Sequence, residues 1–221
     1  MAYGIRVEVW GDYALFTRPE LSVERMTYEL ITPSAARGIL ESIFWHPGIR
    51  YEIDRIHVIN PIAFTSVRRN EVASKASASA LRSAVLNKGP LPRINPQADI
   101  QQRASVILTD VRYVIEAHFV MTDRAAPGDN PGKFKDIIRR RLEKGQCYST
   151  PYFGTREFPA HFKACHGDGI PTSCYADVEE RDFGLMLFDM DYSDPSNIMP
   201  MFYHPVMRHG VVQVSGSEVF R

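Results

Sequence analysis

Apolar and polar residues alternate from the start of the chain. Ile5, Val7 and Val9 stand against Arg6, Glu8 and Trp10, which predicts a strand with one buried face that ends at the turn signal Gly11-Asp12. The period then changes. Ala36, Ile39, Leu40, Ile43 and Phe44 recur at helical spacing behind Thr32, a suitable N-cap, and Pro33, suited to the first helical position. This predicts a helix that Pro47 stops, followed by an Ile- and Val-rich strand over 51–60. The longest alternation covers 106–121: Val111, Tyr113, Ile115, Ala117, Phe119 and Met121 share one face, and Arg112, Val114, Glu116, His118 and Val120 the other. Asp129-Asn130-Pro131-Gly132 then opens a second helix, with Phe134, Ile137, Ile138 and Leu142 as its buried stripe and Gly145 as its C-cap. Arg139-Arg140-Arg141 wraps its last turns, where positive charge suits the helix dipole.

Between the second and third strands, residues 61–104 keep no single period. They are strand-like at 62–67, then rich in Ser, Ala, Lys and Arg, with Pro90, Pro92 and Pro96. A structureless loop of that length is uncommon in a compact domain, so the segment reads as an inserted β-hairpin arm with a mobile tip. With a fourth strand drawn from 147–158, the order is β-α-β-β-α-β. The expected fold is α+β: a ferredoxin-like (RRM-like) domain over 1–160 with both helices on one face and the other face open, followed by an antiparallel β-sheet extension over 161–221. Strands in the extension are expected at 183–189, 199–203 and 210–214.

Charge changes this picture more than composition does. The 26 basic and 26 acidic side chains cancel over 221 residues. Divided along the chain, however, residues 1–65 carry net −2, residues 66–144 net +7 and residues 145–221 net −5. Neutrality thus excludes a uniformly basic protein and leaves room for a basic surface on the arm, the third strand and the second helix. Cys147, Cys165 and Cys174 show no Cys-x-x-Cys spacing, so they read as reduced thiols rather than a zinc or disulfide frame. No run of about 18 apolar residues occurs, and a cytoplasmic protein without a membrane partner is expected.

The open face is where chemistry is expected. RNA-recognition modules meet single strands on such a sheet, stacking bases on aromatics and holding phosphates with Arg or Lys. Trp10, Arg6 and Arg112 fall on the outward register. His118 shares that face with Glu116, a carboxylate placed to orient an imidazole, and His46 near the end of the first helix is a second candidate acid or base. Two such groups suffice to cleave RNA with the 2′-hydroxyl as nucleophile and no metal. A phosphate loop, a Gly-x-Ser-x-Gly elbow and a His-Glu-x-x-His motif are all absent from the sequence. A small-molecule enzyme or regulator on the same fold would instead present a closed apolar cavity.

Six stretches, taken in order, resemble one family. Val9-Trp10-Gly11-Asp12-Tyr13-Ala14, Thr32-Pro33-Ser34-Ala35-Ala36-Arg37-Gly38-Ile39-Leu40-Glu41 and Val67-Arg68-Arg69-Asn70-Glu71-Val72 are similar to the type I-C CRISPR-associated family-five protein, the subtype d (or c) group of the RAMP superfamily. So are Gln101-Gln102-Arg103-Ala104, Tyr113-Val114-Ile115-Glu116-Ala117-His118-Phe119 and Gly154-Thr155-Arg156-Glu157-Phe158-Pro159-Ala160.

The resemblance implies a cofactor-free, metal-independent endoribonuclease that cuts the repeat hairpin of precursor CRISPR RNA, leaving a 2′,3′-cyclic phosphate and a 5′-hydroxyl. It implies retention on the 5′ handle inside the Cascade complex, with the backbone and large subunits as protein partners and target DNA met indirectly. The alternative is a non-cleaving subunit that caps the handle. His118 carries over as catalytic. Phe44-Trp45-His46-Pro47 stands where some members have Tyr-Trp-Lys-Pro, and Glu116 where some have lysine, so His46 is the candidate compensating acid or base. Arg37 is a candidate for electrostatic stabilisation. The expected RNA-binding set is Trp10, Tyr13, Arg37, Arg68, Arg69, Lys75, Arg103, Arg112 and Arg156, with the arm from Arg68 through Lys75 and Arg82 reaching RNA or a neighbouring subunit.

Overall fold

The computed structural model describes residues 4–21, 23–167 and 169–221. The first strand, β1 (Ile5–Ala14), buries Val7 and Val9 completely, as its alternation predicts. Helix α1 (Pro33–Ile43) is capped by Thr32, whose hydroxyl accepts from the Ala35 amide at 3.2 Å. It ends at Ile43 rather than running to Pro47, because Phe44 is already extended and buries its ring beside the helix. Strand β2 (Ile49–Val58) follows, then β3 (Ala63–Val72), a short helix α2 (Ala78–Leu86), and a strand of 22 residues, β4 (Ile100–Met121). Helix α3 (Pro131–Lys144) begins at Asn130, whose side chain accepts from the Lys133 amide at 2.9 Å. It stops at Gly145 in the left-handed conformation, φ 62°.

The arm and the third strand are one element. β3 pairs with Ile100 to Thr109 of β4; β1 joins β4 from Leu108, and β4 continues past Asp110, whose φ is +48°, to pair with β2 from Tyr113 to Met121. The core strand was expected to begin only at residue 106; it is the far end of the hairpin itself. The arm's tip holds α2, which has no buried residue.

The fourth strand lies outside the expected 147–158. It is β5 (His161–Ala164), paired with β1 over Val7 to Trp10. The chain beyond residue 160 therefore contributes to the main sheet. It adds β6 (Arg181–Asp182), β9 (Val206–Arg208) and β10 (Val211–Gln213), while β7 (Met186–Asp191), β8 (Met199–Tyr203) and β11 (Val219–Phe220) form a separate small sheet. The expected strand over 210–214 thus belongs with the large sheet, where β10 pairs with β2 at Arg55 to His57 and occupies an otherwise open edge. The large sheet runs β5-β1-β4-β2-β10-β9-β6, with β3 on β4, and its strand pairs are antiparallel. The molecule is a mixed fold of few helices around a large antiparallel sheet.

Helices α1 and α3 cover one face of that sheet, burying Ile39, Ile43, Phe134 and Ile138 against Val7, Tyr51, Ile115 and Phe119. The other face was expected to be open, but its centre is covered. After β5 the chain returns across it, with Cys165 and Ile170 packed on Val114 and Ile59, so that Val114 is fully buried. An apolar residue at an outward position was the sign of that cover. Among the described residues no helix is long and apolar enough to cross a membrane.

Candidate active site and RNA interface

β2 supplies the geometry of the site through a bulge. Its pairing with β4 shifts register between Ile53 and Arg55, so Ile53 faces Ala117 and Arg55 faces Glu116 with Asp54 left over. The extra residue lets Asp54 and Arg55 both project from the face away from the helices. Arg55 reaches Glu116 (3.6 Å), and both carboxylate oxygens of Asp54 lie 3.0 Å from Nδ1 of His118. A carboxylate accepts, so Nδ1 carries the proton and donates to Asp54, which turns Nε2 outward. Glu52, directly opposite His118 in the ladder, places Oε2 3.4 Å from that Nε2, and its Oε1 accepts from Arg50 Nη2 at 2.7 Å.

Glu52 and His118 border a cleft of about 470 Å³, beside the stretch of β2 that β10 does not reach. Arg37, Arg50, Glu52, His118 and Asp189 line it, closed on one side by Val214 to Ser217. Arg37 donates to Asp189 at 2.9 Å and lies 3.8 Å from Glu41. Burial pushes the Glu41 carboxyl above its usual range, and Arg37 opposes the shift.

The expected partnership of Glu116 with His118 is replaced by another. Glu116 pairs with Arg6 (2.8 Å) and Arg55, and lies 3.5 Å from His57 Nε2. Burial lowers the His57 pKa below its ordinary 6.5, with Glu116 pulling the other way. With the folded value depressed, the unfolded chain binds the extra proton first, so His57 supports the fold above about 6.5 and loses that contribution as the pH falls toward its folded value. A His57→Gln variant is expected to show a flatter dependence of Tm on pH between 7 and 5 than the parent, measured by calorimetry.

His46 is placed apart from His118. Its Nδ1 accepts from the Gly48 amide at 3.0 Å, its ring lies 4.8 Å from that of Phe134 on α3, and its Nε2 is 3.9 Å from Asp129. These are partners on the helix side of the sheet, whereas His118 projects from the opposite face. Among the described residues the two imidazoles have no shared partner.

The other candidates divide into three groups. Trp10 stacks on His161 with centroids 5.8 Å apart, and Lys163 Nζ sits 5.5 Å over its ring. Arg112 beside it is committed to the buried Glu8, donating from Nε at 2.8 Å, while Lys163 takes the second oxygen at 3.1 Å. Tyr13 is exposed and leans on Phe158. On the arm, Arg69 pairs with Glu157 and donates to Ser105, and Arg103 lies 3.7 Å from Glu71. Arg68, Lys75 and Arg156 are exposed and have no ion-pair partner among the described residues. The ion pair of Arg69 with Glu157 thus ties the arm to the loop that carries Arg156.

Sequence reasoning missed Glu52, Asp54 and His57. A signal was present: the apolar positions Ile49, Tyr51 and Ile53 change parity at Ile56 and Val58, which is the mark of a bulge at 54–55.

Comparison with known proteins agrees with this architecture. The family model described as CRISPR-associated protein (Cas_Cas5), in its Cas5d form, matches residues 4–215. The chain belongs to this Cas5d family of CRISPR-associated proteins. It is 46% identical over 217 residues to the CRISPR pre-crRNA endoribonuclease Cas5d of Mannheimia succiniciproducens, covering 97% of this chain and 96% of that protein. It is 38% identical over 231 residues to the Thermus thermophilus protein of the same name, covering 97% and 92%. A crystal structure of a CRISPR-associated protein superposes with a TM-score of 0.71 at 23% identity, over 99% of this chain and 96% of the other, and shares its fold.

Proposed function

We propose that this chain is a metal-independent endoribonuclease of precursor CRISPR RNA, with His118 as a proton-transfer residue and the basic arm as part of the RNA path. The observation that carries the reading is the 46% identity, across almost the whole chain, to a pre-crRNA endoribonuclease. The oriented His118 in a cleft with Arg37 and Arg50 supports it, since attack by a 2′-hydroxyl needs a proton acceptor, a proton donor and cations near the phosphate. The strand order β5-β1-β4-β2, with α1 between β1 and β2 and α3 between β4 and β5, supports the ferredoxin-like reading of the N-terminal part. Retention of the cut RNA by its 5′ handle within a Cascade complex, in the cytoplasm, completes the proposal.

Incubation with the cognate repeat RNA in EDTA tests it: a cut at the hairpin base with a 2′,3′-cyclic phosphate end is expected. Intact RNA in a tight complex would leave the handle-capping role alone. For the arm, Arg68 is the informative position because it is exposed and has no ion-pair partner among the described residues to lose. Arg68→Ala is expected to weaken binding and to reduce the slope of log K against log salt by about 0.7, the value for one phosphate contact on a single strand. An unchanged slope would place Arg68 away from the RNA backbone.

A further inference from the structure

We propose that Glu52 is the second catalytic residue of this site, acting as the base while His118 acts as the acid. The proposal rests on the endoribonuclease reading above. That chemistry needs two proton-transfer groups, and among the described residues one titratable side chain meets the free nitrogen of His118: the Glu52 carboxylate, 3.4 Å from Nε2. Asp54 holds the other ring nitrogen and so acts as a positioning residue.

Glu52 is well placed for the role. Its side chain is 41% exposed, against 21% for His118, so it meets solvent and substrate first. Arg50 holds one carboxylate oxygen at 2.7 Å and leaves the other facing the imidazole. The charged groups around Glu52 are Arg50 and Asp54 on its own strand, His118 on β4, and Arg37 with Asp189 from α1 and the small sheet across the cleft.

The step balances. The 2′-oxygen of the nucleotide before the cut forms a bond to phosphorus as its proton passes to Glu52. The bond from phosphorus to the 5′-oxygen breaks, and that oxygen takes the Nε2 proton of the His118 imidazolium. The products are the cyclic phosphate and the 5′-hydroxyl, with Glu52 protonated and His118 neutral. Transfer of the proton from Glu52 Oε2 to Nε2, along the contact already present, returns both groups to their starting states. Arg37 and Arg50 supply positive charge to the phosphorane.

The test is single-turnover cleavage of the repeat RNA in EDTA as a function of pH, for the wild-type chain, Glu52→Gln, Glu52→Asp and His46→Ala, with RNA affinity measured alongside. Wild type is expected to give a bell-shaped profile. Glu52→Gln should slow cleavage by roughly 10²-fold or more and lose the rising, low-pH limb, with RNA affinity unchanged, and Glu52→Asp should restore that limb in part. A 2′-deoxy nucleotide at the cut should abolish cleavage by the wild type. If Glu52→Gln cuts at the wild-type rate with its rising limb intact, or if His46→Ala is the variant that loses this limb, the assignment of Glu52 is overturned while the endoribonuclease reading stands. If the wild type itself leaves the RNA intact, both fall.

Discussion

His118→Ala is expected to lower cleavage of the repeat RNA by about 10²- to 10⁴-fold, the range for loss of a positioned general acid or base. The size of the effect follows from the surroundings of the ring. Two carboxylates, Asp54 at 3.0 Å on Nδ1 and Glu52 at 3.4 Å on Nε2, fix its orientation, so the ring is held in one position for proton transfer. His118 is partly exposed on the sheet face away from the main core, and its removal leaves Phe119 and Ala117 buried where they were. RNA affinity and Tm should therefore change little. Single-turnover cleavage with a parallel filter-binding measurement separates the two quantities. Cleavage at the parental rate would remove His118 from the chemistry.

The largest effect on stability is expected at Gly154. Its φ is +81°, and a Cβ there would lie 1.9 Å from the Leu15 carbonyl oxygen and 2.7 Å from its carbon. The obstacle is backbone, and it is held: the Leu15 amide donates to Phe153 O at 3.1 Å, and the Phe153 amide to Phe158 O at 2.8 Å. Phe153 itself is fully buried against Phe16 and Tyr113. Gly154→Ala must therefore push the 151–160 loop off the end of β1 and open the core around Phe153. A loss of about 3 kcal/mol or more is expected, combining left-handed strain with displaced packing. For a domain of this size that corresponds to a fall in Tm of roughly 6–12 °C. Gly145→Ala is the matched control, because its φ is +62° but nothing lies within 4 Å of the added carbon, leaving only the conformational cost of about 1 kcal/mol. Equal losses in the two variants would show that the Leu15 contact carries no weight.

Both main helices were legible from Thr32-Pro33 and Asn130-Pro131 at their starts, because capping is a local interaction that the sequence writes within a few residues. β1 and the core half of β4 were legible for a similar reason, since one buried face imposes strict alternation. The fourth strand was not. His161-Phe162-Lys163-Ala164 has too few residues to show a period, and it is a strand only because β1 offers it an edge. The covered sheet face was hidden for the opposite reason: Val114 announced that something packs on it, but what packs there is Ile170, 56 positions later in the chain.

The site divides the same way. His118 was visible as an outward residue of a strong strand. Its carboxylate was misassigned to Glu116, two positions away on the same strand, because alternation places those two side chains together. The bulge in β2 decides otherwise by giving His118 to Asp54 and Glu116 to Arg6 and Arg55. His46 had the right residue type, but the ring is drawn onto Phe134, which no pattern within the first helix could reveal.

The long strand β4 sets the order in which the chain can fold as it is made. β1, β2 and β3 each pair with β4, and among the described residues none of these three pairs with another. A ribosome that has synthesised the first 99 residues has thus produced three strands and no sheet. Their edges wait unsatisfied until residues 100–121 emerge, and then the hairpin and the central sheet can zip from one template. Translation slowed before residue 100 would prolong exposure of Ile- and Val-rich β2, and that interval is where aggregation of the nascent chain should concentrate.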